Sequence, residues 1–226
     1  SDPRDISRSV KPAHWLNANT PGAMVQLKKG PHKGRIITGL WGCVPVTDDT
    51  GKVSRTWEIC AAWSDDGGKT WQRSEPLQDP EEGWPNECQV AEAADGTLVL
   101  SARNQGGRRL RKKAFSPDGG QTWTPINADP TMPTIHCMGS IISGPVKADG
   151  SWDLYASFPS AEARANGQLA ISTDNGKSFQ IKTIIAGYFG YSTTQISPDG
   201  EDLLLFYESD KVRSIRFLRI PLSTLK

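Results

Sequence analysis

Ser64-Asp65-Asp66-Gly67-Gly68-Lys69-Thr70-Trp71 (SDDGGKTW) returns as Ser116 to Trp123 (SPDGGQTW) and again as Ser172 to Phe179 (STDNGKSF). All three fit S-x-D-x-G-x-[ST]-[WF]. Counted from Asp65, Asp118 and Asp174, the copies lie 53 and 56 residues apart. Asp and Ser side chains bond nearby backbone N–H groups, and glycine accepts a positive φ, so each octamer reads as a hairpin turn. The closing aromatic can pin that turn onto the unit it ends. One such match would mean little, but three at near-constant spacing define a repeat.

Outward from the octamers, the same order recurs. Strand-like segments lead into each turn: Cys60–Trp63, Lys112–Phe115 and Gln168–Ile171. Earlier in each unit a second hairpin signal precedes an apolar run, as at Asp95-Gly96 before Thr97–Leu100, Asp149-Gly150 before Ser151–Tyr155, and Asp199-Gly200 before Leu203–Tyr207. Lys29 to Thr38 plays that part in the first unit. Short strands with turn chemistry between them read as all-β. A unit of about 50 residues with four strands reads as a propeller blade. Four units begin near Pro21, Asn86, Cys137 and Tyr191, and residues 1–226 form a single domain. No segment sustains a 3.6-residue apolar period, so little helix is expected.

Composition excludes several classes. The chain has 226 residues, 26 Lys+Arg against 25 Asp+Glu, and a net charge of +1. That balance, without a charge block, argues against nucleic-acid or membrane-surface binding. No apolar run approaches the roughly 18 residues of a membrane span. Gly 22 and Pro 16 disfavour a long-helix bundle. Cys43, Cys60, Cys88 and Cys137 form no CxxC pair, and His14, His32 and His136 lack partners at metal spacing, so neither a metal nor any other cofactor is indicated. Cysteine usage leaves the compartment open, with a secreted or periplasmic one favoured.

The octamers resemble the Asp-boxes, or BNR repeats, of the exo-α-sialidase (neuraminidase) family, bacterial type. Three further segments carry the resemblance. Asn86-Glu87-Cys88-Gln89-Val90-Ala91-Glu92, followed by Leu100 to Asn104, is similar to the stretch with a catalytic Glu and a binding Arg about 16 residues later. Arg164 to Ser172 is similar to the segment that supplies another binding Arg before an Asp-box. Gly190-Tyr191-Ser192-Thr193-Thr194, with Leu205 to Glu208, is similar to the nucleophilic-tyrosine segment and its following strand. The resemblance implies a six-bladed propeller, of which about four blades are present. It further implies that an N-terminal part of roughly 100–150 residues, holding one more Arg and the acid/base Asp, is missing and would be the partner that completes the ring. Asp2 and Asp5 are not credible as that acid, and Arg219-Ile220-Pro221 reads as part of the last strand.

The implied substrate is a sialylated glycoconjugate. Its anomeric carboxylate calls for planar guanidinium donors, which Arg103 and Arg164 would supply. Tyr191 is the implied nucleophile, an exception to the two-carboxylate scheme of other glycosidases. A phenol needs a base at neutral pH, and Glu87 takes that role. Arg108, Arg109 and Arg111 read as a solvated loop. Glu92 reads as structural, Glu208 as a support, Cys88 as a small buried residue, and Tyr188 as a lesser candidate than Tyr191. Trp84 and Trp41 could line a sugar site or pack. The expected function is retaining hydrolysis of terminal sialic acid. The alternatives are a trans-sialidase and a non-catalytic Asp-box propeller that binds sugar or protein.

Overall fold

In the computed structural model, which describes residues 2–81 and 83–225, the chain folds back on itself four times by one rule. Each time, successive strands pair antiparallel with their sequence neighbours. The first sheet comprises β1 (Val25–Gln26), β2 (Ile36–Thr47), β3 (Val53–Ser64) and β4 (Gln72–Arg73). The second comprises β5 (Pro85–Glu92), β6 (Leu98–Asn104), β7 (Leu110–Ser116) and β8 (Asn127–Pro133). The third holds β9 (Ser140–Ser143), β10 (Leu154–Phe158), β11 (Ala165–Ser172) and β12 (Gln180–Tyr188). The last has three strands: β13 (Ser192–Ile196), β14 (Asp202–Ser209) and β15 (Ser214–Pro221). The expected four-strand unit therefore holds for three sheets. After Pro221 the chain winds into a short 3-10 turn at Leu222–Leu225 instead of a further strand. Among the described residues, helix is confined to that turn, a second 3-10 turn at Asp210–Val212 and one turn at α1 (Ser7–Val10).

The sheets stack face to face through apolar layers. Ile37, Ile59 and Trp63 meet Val90, Leu98 and Leu100 between the first two. Ala91 and Val99 meet Ile141, Trp152, Leu154 and Phe158 between the second and third. Ile142, Tyr155 and Leu169 meet Leu203 between the third and fourth. The first strands β5, β9 and β13 lie against one another, as blades do around a propeller axis. The architecture is an arc of β-propeller. Glu92 serves structure: buried at the end of β5, its carboxylate accepts the backbone N–H groups of Lys28 at 2.6 Å and Lys29 at 2.8 Å.

The octamers are built alike. In the second, Ser116 Oγ donates to Asp118 Oδ1 at 2.9 Å, Gly120 N–H donates to Ser116 Oγ at 2.8 Å, and Thr122 gives Asp118 its N–H at 2.9 Å and its hydroxyl at 2.6 Å. Trp123 Nε1 then donates to Gly120 O at 3.0 Å, which locks the aromatic over the turn. Asp174 makes the same bonds with Ser172 and Ser178 in the third octamer. In the first octamer the equivalent residue is Asp66, which corrects the count from Asp65: Ser64 and Thr70 bond Asp66. Asp65 instead faces outward and takes both Nε and Nη2 of the buried Arg35, at 2.7 and 2.8 Å. Arg35 Nη1 reaches Gly119 O at 2.8 Å, so this arginine ties the first sheet to the second octamer. Asp66 is also the residue that the S-x-D spacing selects, two after the serine as Asp118 and Asp174 are.

Candidate active site

Glu87 lies at an irregularity in β5. Asn86 pairs with Arg103 and Cys88 with Ala102, which leaves Glu87 as an extra residue between two rungs. Its φ is +21°, outside the comfortable range of an L-residue. Such a bulge turns a side chain away from the regular alternation, and the strain costs on the order of 1–3 kcal/mol. Here it turns the carboxylate toward Arg103 at the end of β6. Arg103 Nη1 donates to Glu87 Oε2 at 2.8 Å.

Tyr191 arrives from the fourth sheet. Its hydroxyl donates to Glu87 Oε1, and Arg103 Nη1 donates to the same hydroxyl oxygen at 3.1 Å. The three groups close a triangle across two sheets. The tyrosine is fixed from behind by Glu208 of β14, whose carboxylate accepts Tyr191 N–H at 3.0 Å. Glu208 also exchanges backbone bonds with Gly190 and Tyr191, each at 2.9 Å. Arg164, just before β11, brings its guanidinium carbon to 5.2 Å from the centre of the Tyr191 ring. Residues 87, 103, 164 and 191 from three sheets thus meet at one end of the inner strands.

The electrostatics follow. Burial, then the hydrogen bond to Glu87 and its charge, push the Tyr191 phenol up to about 12, while Arg103 and Arg164 pull the other way. The phenol is neutral at physiological pH. Arg103 spends Nη1 on Glu87 and Tyr191 but has no hydrogen-bond partner on its buried Nε among the described residues. Nη2 has no hydrogen-bond partner among the described residues and is not enclosed as Nε is, so it is the nitrogen left to meet an anion. Cations with a nitrogen unspent beside a hydrogen-bonded phenol and carboxylate can hold an anion and move a proton.

Other expectations fare differently. Arg108 is exposed and paired with Glu81, and Arg109 is exposed. Arg111 is not solvated: it lies fully buried in β7, as does its neighbour Lys112 on the opposite face, because the strand is covered on both sides there. Its Nε donates to Ser101 Oγ at 2.7 Å and its Nη1 to Cys137 O at 3.3 Å. Burial pushes its guanidinium down to about 10, so it keeps its charge at neutral pH. A charged residue beside exposed arginines gives no sequence signal of this. Cys88 and Cys137 are buried thiols whose pKa burial raises. Among the described residues no three His, Cys, Asp or Glu side chains gather as for a metal. Trp41 packs on the layer between the first two sheets. Trp84 is 45% exposed at φ +55°, and its ring lies 5.9 Å from that of Trp57.

Stacked antiparallel meanders closed by repeated Asp turns define an Asp-box propeller. Residues 1–204 match the BNR repeat-like domain, and the chain belongs to that family. Its relatives include the sialidase of Micromonospora viridifaciens, 28% identical over 202 residues, which covers 87% of this chain and 29% of that protein. The sialidase of Vibrio cholerae is also 28% identical, over 198 residues, 74% of this chain and 25% of that protein. The chain thus spans less than a third of the length of these relatives. Among solved structures, the intramolecular trans-sialidase of Ruminococcus gnavus in complex with oseltamivir carboxylate superposes with a TM-score of 0.73 at 21% identity, over 96% of this chain and 46% of that one. The leech intramolecular trans-sialidase gives 0.72 at 21% identity, over 95% of this chain and 33% of that one. At such identities the superpositions establish the shared propeller fold.

Proposed function

We propose that this chain carries the nucleophile and anion-binding side of a retaining exo-α-sialidase. The observation that carries the reading is the triangle of Tyr191, Glu87 and Arg103, with Arg164 over the tyrosine ring. The substrate carboxylate would take Nη2 of Arg103 and the guanidinium of Arg164. Tyr191 Oη would form a bond to the anomeric carbon as the bond to the leaving oxygen breaks, and Glu87 would take the phenolic proton. Water would then attack the anomeric carbon and give a proton to the carboxylate left by the acid that served the leaving oxygen, while the bond to Tyr191 Oη breaks and Glu87 returns the phenolic proton. A neutral phenol beside a substrate carboxylate avoids the repulsion that an anionic nucleophile would meet.

The proton for the leaving oxygen is assigned to a carboxylic acid outside these four sheets, on a segment that completes the ring. The last sheet offers such a segment an apolar face at Phe206, Ile215 and Phe217, each at least half exposed. A sialosyl fluoride tests the assignment, because fluoride leaves without an acid. The expected result is a sialosyl adduct on Tyr191, located by peptide mass spectrometry. An adduct on another residue, or none, overturns the nucleophile.

A second reading is a propeller that binds sialic acid without cleaving it. It is favoured by one observation: Glu87 is the one carboxylate bonded to the Tyr191 hydroxyl, and Arg103 already holds it. Binding of a sialoside with no adduct from the fluoride would select it.

A further inference from the structure

The strands of the first sheet run past the level of the site. Ser64 and Ser116 open equivalent octamers, and they pair with Ile36 and Leu98. Trp41 therefore stands level with Arg103. β6 ends one residue later, at Asn104, whereas β2 continues to Thr47 before the hairpin returns through Val53. At about 3.3 Å per residue the hairpin rises roughly 20 Å above the site on its flank. Trp57 lies on this projection, paired with Cys43. Its side chain shares a face with Ile59, Ala61 and Trp63, the face packed on the second sheet. That parity brings it to Trp84.

Trp84 precedes β5 by one residue and stands one rung beyond the Pro85–Asn104 pair. Its carbonyl accepts the N–H of Gln105 at 3.3 Å, and Gly83 O accepts that of Gly106 at 2.9 Å. The indole lies over Gly106, where an added Cβ would come within 3.2 Å of Cε3. A bulky residue held at φ +55°, backed by a glycine on one side and by Trp57 on another, keeps a rigid aromatic face in solvent. Strained, immobile and half-exposed aromatics serve ligands better than cores.

We infer that Trp84, braced by Trp57, is the stacking platform for a neutral hexose that carries the sialic acid. The inference rests on the sialoside reading of the Arg103–Arg164 site and adds the second sugar. With the carboxylate at Arg103 and the anomeric carbon at Tyr191, the glycosidic oxygen lies opposite the phenol. The second ring then lies outward from the strand ends, where the platform stands. The apolar C–H face of a hexose matches a bare indole. Arg108, in the turn after β6, is paired with Glu81.

Calorimetry of the 226-residue chain tests this with sulfur-linked sialosides, which cannot turn over. The ligands are the α-methyl sialoside, sialic acid joined to galactose, and sialic acid joined to sialic acid. The galactoside should bind about tenfold tighter than the methyl sialoside, and Trp84→Ala should erase that gain while the methyl sialoside stays within about twofold. Trp84→Phe should retain most of the gain, and Trp57→Leu should lose part of it. Equal binding of methyl sialoside and galactoside by wild type overturns the platform and leaves the arginine site standing. So does a gain that survives Trp84→Ala, or one that is larger for the disialoside. Failure of all three ligands to bind overturns the sialoside reading and the platform with it.

Discussion

Gly190 and Glu208 are fitted to each other: a Cβ on Gly190 would come within 2.5 Å of Glu208 Oε2, the oxygen that accepts the N–H of Tyr191. The tyrosine is thus aimed by its main chain, and the aim depends on a hydrogen atom at the preceding residue. Gly190→Ala should displace the Glu208 carboxylate and loosen Tyr191 from Glu87. Ultraviolet titration should then find the Tyr191 phenol below its wild-type value of about 12, while the melting temperature changes little. An unchanged titration would show that Glu208 does not aim the tyrosine.

Glu87→Gln removes a charge that holds the Tyr191 proton. The sign is set by which form the neighbour favours: a carboxylate favours the neutral phenol, so its loss lowers the pKa from about 12 toward the ordinary value near 10. Arg103→Met should act in the opposite sense. Difference absorbance of phenolate against a Tyr191→Phe control reads both. In a form that hydrolyses sialosides as proposed, Tyr191→Phe and Glu87→Gln should each cost several orders of magnitude in kcat. Their double mutant should be far from multiplicative, because the two act as one unit.

Arg103→Lys and Arg164→Lys keep the charge and lose the planar fork. Each should weaken binding of N-acetylneuraminate by about 1–3 kcal/mol, the range for a charged hydrogen bond. Calorimetric titration reads the loss. An arginine whose lysine variant binds as wild type does not hold the carboxylate.

Acid should unfold the chain through its turns. Burial raises the Asp174 pKa, but the hydroxyl and N–H of Ser178 and the hydroxyl of Ser172 outweigh it and hold the carboxyl at about 2. Asp118 is lowered likewise, against burial, by Thr122, Ser116 and Gln121. An unfolded Asp titrates near 3.9, so the native state binds fewer protons in this window. The stabilisation is complete above pH of about 4 and is lost as pH falls toward 2. Asp118→Ala should remove on the order of 1 kcal/mol at pH 7 and flatten the acid limb of a denaturation series.

The repeat was legible because its chemistry is local. An octamer folds on its own serine and aspartate, so its sequence carries the turn, the strand before it and the spacing of the sheets. Glu87, Arg103, Arg164 and Tyr191 stood out through the segments around them, and the structure brings all four together. What a local pattern does not carry is which charged side chains the neighbouring sheets will cover or pair. Asp65 and Asp66 are adjacent and chemically alike, yet one is bonded inside the turn and the other pairs with Arg35. Arg111 lies inside β7 and is covered by the neighbouring sheets, whereas Arg109 lies before the strand begins and is exposed. Trp57 becomes relevant because a hairpin outruns its neighbours, which is a fact about the length of paired strands and not about any residue.

The four site residues come from three sheets, and those sheets meet through apolar layers and through a few buried polar bonds, Ser157 to Ser192 at 2.8 Å, Ser140 to Thr194 at 2.6 Å and the Ile141 N–H to Gln89 Oε1 at 3.1 Å. Glu87 and Arg103 ride on one plate, Arg164 on the next and Tyr191 on the third. The spacing of the reactive atoms is therefore set by the thickness of the layers beneath, much as shims set the gap of a vice. A methylene gained or lost at Ile142 or Leu203, between the third and fourth sheets, would tilt Tyr191 as a rigid lever without touching it. The calibration of this site is written in part in aliphatic side chains that lie outside its four residues.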